Sequence, residues 1–151
     1  MDFETLLDDA GAEGLTIKER PFQTYDGRTK GKNIYLRKDM NLTEKKCVLA
    51  EELGHHHTSV GDILDMSDPG NRKQERQARL WGYNKLIGLS GLVKAFEAGC
   101  QDRFEVAEYL GVTDEYLCEC LDTYRDKYGI GVTVNDYYIM FIPHLAIGKM
   151  V

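Results

Sequence analysis

The chain has 151 residues, 42% of them hydrophobic, the size of one domain able to bury a real core. Its net charge of −6 and pI near 5.2 argue against a protein devoted to gripping nucleic acid or anionic membrane, since both rely on basic patches. No stretch approaches the roughly 18–20 apolar residues of a membrane span, and the acidic start Met1-Asp2-Phe3-Glu4-Thr5 is unlike a secretory signal, so a cytoplasmic protein is expected.

Phe3, Leu6, Leu7 and Ala10 recur at helical spacing before Gly11, which predicts a short amphipathic helix over 2–11. A strand is expected from Leu15 to Phe22, then a turn at Tyr25-Asp26-Gly27 and Gly31, then Asn33-Ile34-Tyr35-Leu36 as the returning strand of a hairpin. Asn41 and Glu44 have capping-box spacing ahead of an apolar run from Cys47, so a helix should run from there to His57 or Thr58. A loop over 62–70 follows, ending Asp68-Pro69-Gly70. Asn71 is the expected cap of a second long helix, with Gln74 at the reciprocal position. Shorter helices are predicted at 91–98 (Ser90 cap), 103–110 and 114–127 (Thr113 cap), and a last strand runs from Tyr137 to Ile142. With no repeat or linker, one α+β domain over 1–151 is expected: a core of about 1–90 plus strand 136–143, and a helical subregion at about 91–128.

The chemistry concentrates in Val48-Leu49-Ala50-Glu51-Glu52-Leu53-Gly54-His55-His56-His57. Glu51 and His55 stand at i and i+4, about 40° apart on one helix face, with Glu52 about 100° round from Glu51. This is the layout of the H-E-x-x-H metallopeptidase helix with Glu in place of the first His. Such a site needs three protein ligands, an open position for water, and a base near that water. Glu51 and His55 can supply two ligands, and Glu52 the base. The third is expected from Glu75 on the next helix, whose face carries the small residues Ala78 and Gly82 and so permits close approach. Glu52 with His56 is an alternative i, i+4 pair. The opposing reading is a solvated helix end, since acidic residues on helices are usually on the surface. Against it, Leu49, Ala50 and Leu53 make this helix apolar, and a charge on a buried helix calls for a partner or a metal.

Glu51-Glu52-Leu53-Gly54-His55-His56, followed by Gln74-Glu75-Arg76-Gln77-Ala78-Arg79-Leu80-Trp81, resembles the ImmA/IrrE family of metallo-endopeptidases in its prophage and mobile-element form. The similarity continues through Phe104-Glu105-Val106-Ala107-Glu108-Tyr109-Leu110 and Tyr138-Ile139-Met140-Phe141-Ile142-Pro143. The resemblance implies a small zincin-like fold, with a short antiparallel sheet packed on a helical bundle that carries the metal helix. It also implies a zinc-dependent protease acting on a helix-turn-helix repressor encoded nearby. On this resemblance Glu52 is the catalytic Glu, His55 and Glu75 are metal ligands, and Glu51 takes the place of the first His, as the phage-type branch often has it. Two carboxylates around the ion make it a weaker Lewis acid than two histidines would, and harder oxygen ligands bring Mn²⁺ or Fe²⁺ into competition with Zn²⁺.

Other readings complete the expectations. An extended substrate would add to strand 33–36, immediately before the metal helix. His57 is expected to contact the terminal carbonyls of its helix, and His144 to be exposed. The spacings of Cys47, Cys100, Cys118 and Cys120 suit neither a zinc ribbon nor a mutual disulfide, so buried or idle thiols are expected. Residues 104–121 have the form of a helix-turn-helix with Gly111 at the turn, which makes a DNA-binding regulator the rival function. Residues 101–127 hold eight acidic and three basic side chains, a net of −5, the wrong sign for phosphates, so no direct nucleic-acid partner is expected. A third reading keeps the fold without catalysis: an anti-repressor that acts by sequestration.

Overall fold

The computed structural model describes residues 1–58 and 69–150, with 69–71 as backbone only. Its contacts divide into two compact units, Met1–Lys85 and Leu86–Val151. Six α-helices and two three-stranded sheets among the described residues make an α+β arrangement of the kind a small zincin-like fold has. No helix among them is long and apolar enough to cross a membrane.

The first unit opens with α1 (Phe3–Ala12), capped by the Asp2 carboxylate accepting from the Thr5 amide at 2.8 Å. Leu6 and Ala10 are its buried positions, one turn apart. Strands β1 (Thr16–Arg20), β2 (Gly27–Lys30) and β3 (Asn33–Arg37) follow, then α2 (Leu42–Thr58) and α3 (Pro69–Leu86). The capping box of α2 is formed in both directions. The Glu44 amide donates to Asn41 Oδ1 at 2.8 Å, and the Asn41 amide to Glu44 Oε1 at 3.3 Å.

The first sheet has the order β1-β3-β2, so it is not the simple hairpin expected. β1 pairs with β3 in parallel, and the hairpin is β2 with β3. β2 escapes a sequence reading because Gly27-Arg28-Thr29-Lys30 contains no apolar residue. As the central strand, β3 is paired on both sides and has no free edge, which overturns the expectation that a substrate adds to 33–36. Among the described residues the free edges belong to β1 and β2. Ile34 and Leu36 of β3 are fully buried beneath α2, while Asn33, Tyr35 and Arg37 alternate to the other face.

α3 begins at Pro69, so Asn71 lies inside the helix and does not cap it. Proline has a fixed φ and no N–H to leave unpaired, which suits a first helical turn. The expected loop lies outside the described residues as far as 68.

The second unit contains α4 (Gly88–Glu97), α5 (Arg103–Leu110), α6 (Asp114–Tyr128), β4 (Gly131–Val134), β5 (Tyr137–Met140) and β6 (Ala146–Lys149). α4 starts ahead of its expected cap, leaving Ser90 in its first turn. Asp102 and Thr113 cap α5 and α6 through the amides of Glu105 and Tyr116, and Gly111 closes α5 in the left-handed conformation at φ 66°. β4, β5 and β6 form an antiparallel sheet in chain order, with β4 and β5 joined at Asn135-Asp136, where Asn135 takes φ 53°. Leu92, Leu117, Tyr124, Ile139 and Phe141 fill the core between these helices and strands.

Candidate metal centre

Leu49, Ala50 and Leu53 bury one side of α2, with Glu52 buried next to them, while Glu51 and His55 lie half-buried around the helix from that side. Opposite it, Gly54 meets Ala78 of α3 backbone to backbone. A methyl group at Gly54 would overlap the Ala78 carbonyl. This close crossing brings Glu75, one turn before Ala78, against His55, one residue after Gly54. Glu75 stands in the second turn of α3, since the helix starts earlier than expected.

Glu51, His55 and Glu75 each offer one ligand atom, and the three atoms lie within 4.8 Å of one another. His55 Nε2 is 2.9 Å from Glu75 Oε2, and its Nδ1 is 3.4 Å from Glu52 Oε2. Burial alone would lower the His55 pKa, but the hydrogen bonds to Glu52 and Glu75 and their charges push it up to about 10. The hydrogen bond with His55 holds the Glu75 carboxyl below its usual range. Glu51 is pushed the other way, by burial first and then by the charge of Glu52, with Glu75 adding to it. Without a cation, the protonated imidazole and, from α3, the Arg79 guanidinium are the positive charges acting on these carboxylates. One nitrogen and two carboxylate oxygens, converging where negative charge is poorly compensated, form a donor set that fits a divalent cation.

Glu52 is oriented separately. It and Lys46 are the buried charged side chains among the described residues. The Thr29 hydroxyl of β2 donates to Glu52 Oε2 at 2.6 Å. Gly27 of the same strand passes so close that a Cβ there would stand 2.6 Å from Val48 Cγ1 and 3.1 Å from Glu52 Cγ. A larger residue would have to push the Val48 and Glu52 side chains aside for the strand to lie this near α2. The turn expected at Tyr25-Asp26-Gly27 and Gly31 hides the roles of Gly27 and Thr29 from the sequence. Their alternate spacing, with one small and one hydroxyl residue on the inner side, was the available signal.

The other histidines lie outside this cluster. His56 is exposed and packs edge-on against His57 at 5.2 Å. His57 turns to Glu13, at 2.9 Å, and stacks on Trp81 at 4.6 Å, so its partners are side chains of α3 and the end of α1, and not the helix carbonyls expected for it. His144 is exposed, in the second unit. The four cysteines are free thiols, Cys47 and Cys120 buried.

No curated protein and no solved structure matches the chain significantly. The sequence pattern of the Peptidase_M78 family, described as an IrrE N-terminal-like domain, matches residues 10–122, which takes in α2, α3 and every residue of the cluster. The chain belongs to the Peptidase_M78 family of IrrE N-terminal-like metallopeptidase domains.

Proposed function

We propose that the protein is a metal-dependent endopeptidase that cleaves a helix-turn-helix repressor of a prophage or mobile element in the cytoplasm. The observation that carries this reading is the convergence of Glu51, His55 and Glu75 within 4.8 Å, beside a buried carboxylate that is not one of the three. In this reading Glu51, His55 and Glu75 hold the ion, Zn²⁺ by preference, with Mn²⁺ or Fe²⁺ able to compete for the two carboxylates. A divalent ion bound there supplies Lewis acidity toward the scissile carbonyl and lowers the pKa of water in the site.

Glu52 accepts the proton of the attacking water and returns it to the leaving amine. Thr29 keeps the Glu52 carboxylate from rotating away, with Oε2 engaged and Oε1 left for the proton. The free edge of β2 lies against the same stretch of α2 and offers backbone groups to an extended peptide. This moves the expected peptide-binding edge from β3 to β2.

The test combines metal content with cleavage of the repressor encoded nearest the gene. The wild type should purify with a divalent metal, and His55→Ala and Glu75→Ala should lose it. Glu52→Gln should keep the metal and lose cleavage. Equal occupancy in all the proteins would remove the metal site. Repressor binding without cleavage by the metal-loaded wild type would leave the sequestering anti-repressor as the function.

A further inference from the structure

The chain is acidic as a whole, yet residues 16–38 carry seven Lys and Arg against Glu19 and Asp26, a net of +5 within a total of −6. The fold places five of these cations, Lys18, Arg20, Arg28, Lys30 and Arg37, on one surface. In the first sheet the rows Ile17–Ile34–Thr29 and Glu19–Leu36–Gly27 face α2, where Thr29 bonds Glu52 and Glu19 bonds Lys45. The alternate rows therefore face away from α2: Thr16–Asn33–Lys30, Lys18–Tyr35–Arg28, and Arg20 opposite Arg37. No strand position on that outer face is acidic.

Among the described residues Arg37 forms ion pairs, with Asp26 and Asp39, whereas Lys18, Arg20, Arg28, Lys30, Lys32 and Lys38 form none. Neighbouring strands are about 4.8 Å apart and alternate residues about 7 Å apart, well inside the ~10 Å Debye length, so these fields add. Like charges directly opposite, as at Arg20 and Arg37, cost a sheet stability, and the ion pairs with Asp26 and Asp39 offset this for Arg37 alone.

Aromatic rings lie among the cations. Arg20 sits over the Tyr35 ring and Arg28 over the Tyr25 ring, each at 5.7 Å, and Phe22 packs against both tyrosines. Tyr25 is 38% exposed at the margin of the face. A sheet surface with unpaired cations in rows and interleaved rings matches a strand of phosphates with unstacked bases. Its strand positions, among the described residues of the first unit, offer no helix to enter a duplex groove.

We propose that the outer face of the first sheet is a binding surface for single-stranded nucleic acid, with Lys18, Arg20, Arg28 and Lys30 on the phosphates and Tyr25 under a base. This goes beyond the peptidase reading and does not depend on it. The net acidity that argues against nucleic acid for the whole chain does not describe this face, since its strand positions carry no acid and Asp26 and Asp39 at its end are taken up by Arg37.

The test is fluorescence anisotropy of labelled oligodeoxythymidine, about 20 nucleotides long, with the full chain at about 50 mM salt. A chelator is present so that no ion at Glu51, His55 and Glu75 bridges to phosphate. Saturable binding is expected, with a slope of log K against log salt of about −2 to −3, as three or four phosphate contacts give. The pair Arg28→Glu/Lys30→Glu should weaken binding about tenfold or more. The equally charged change Lys94→Glu/Lys127→Glu, on exposed sites of the second unit, should leave it within about twofold. Tyr25→Ala should cost about fivefold, the low end for one stacked base. Circular dichroism checks that each variant folds. Absence of binding, or equal losses in the two charge-reversed pairs, would overturn the proposal. So would poly-glutamate competing as well as the oligonucleotide with no effect of Tyr25→Ala, which would identify an acidic polypeptide as the occupant.

Discussion

Thr29 donates its hydroxyl proton to Glu52 across 2.6 Å, joining the edge strand of the first sheet to the buried carboxylate of α2. A hydrogen bond to a charged group is worth about 1.5–3 kcal/mol, and it restricts a side chain that would otherwise sample several rotamers. Thr29→Val keeps the branched shape and removes the donor. Peptide cleavage by this variant should fall about ten- to hundredfold in kcat, with KM and metal content unchanged, and Thr29→Ser should restore most of it. Steady-state kinetics alongside metal analysis decides this. A fall in metal content would assign Thr29 to the stability of the site instead.

Gly54 sets the distance between α2 and α3. A methyl group there meets the Ala78 carbonyl, a backbone atom that cannot swing aside as a side-chain tip could. Gly54→Ala should destabilise the protein by about 1–3 kcal/mol and separate His55 from Glu75. Urea unfolding measures the first effect. Loss of bound metal from the still-folded variant measures the second.

Glu51→His replaces one of the two carboxylates with an imidazole. The altered donor set is softer and carries one negative charge fewer, so selectivity should move toward Zn²⁺ over Mn²⁺ by about tenfold or more. Competition between the two metals for the purified variant and the wild type reads this directly. Unchanged selectivity would mean that Glu51 does not hold the ion.

Thr113 accepts the Tyr116 amide at 3.0 Å and begins α6, whose Leu117 and Cys120 are fully buried. Thr113→Ala should lower stability by about 1 kcal/mol, as a lost cap does. Asp102→Ala should act similarly on α5, where the Glu105 amide donates to Asp102 at 2.9 Å. Thermal unfolding of the two variants checks both. The double variant should be additive unless the two caps are coupled, because each serves a different helix.

The ends of α2, α5 and α6 are legible because capping is local chemistry, whereas Asn71 and Ser90 fall inside α3 and α4. Asn41 with Glu44, Thr113, Gly111 and Gly129 stand within a few residues of the groups they serve, and the structure uses each at the end of its helix. The i, i+4 placement of Glu51 and His55 was legible for the same reason, since 3.6 residues per turn fixes it within one element. The strands were read less well. Gly27-Arg28-Thr29-Lys30 and Ala146-Ile147-Gly148-Lys149 lack the alternation that marks a strand alone, and they become strands because a partner's backbone pairs with them.

By itself, then, the sequence determined the ends of α2, α5 and α6, though not the starts of α3 and α4, and that Glu51, Glu52 and His55 share a turn of α2. Tertiary structure alone decided that β3 is central, and that β2 lies over Glu52 with Thr29 bonded to it. It also decided that Glu75 meets His55, that His57 turns to Glu13 and Trp81, and that Lys18, Arg20, Arg28, Lys30 and Arg37 share one face. The physical reason is the range of the forces involved. Capping and helical periodicity act within a turn or two, whereas strand order, register and the crossing of α2 with α3 depend on contacts between residues far apart in the chain. Small residues such as Gly27 and Gly54 show their purpose only once the neighbouring backbone is in place.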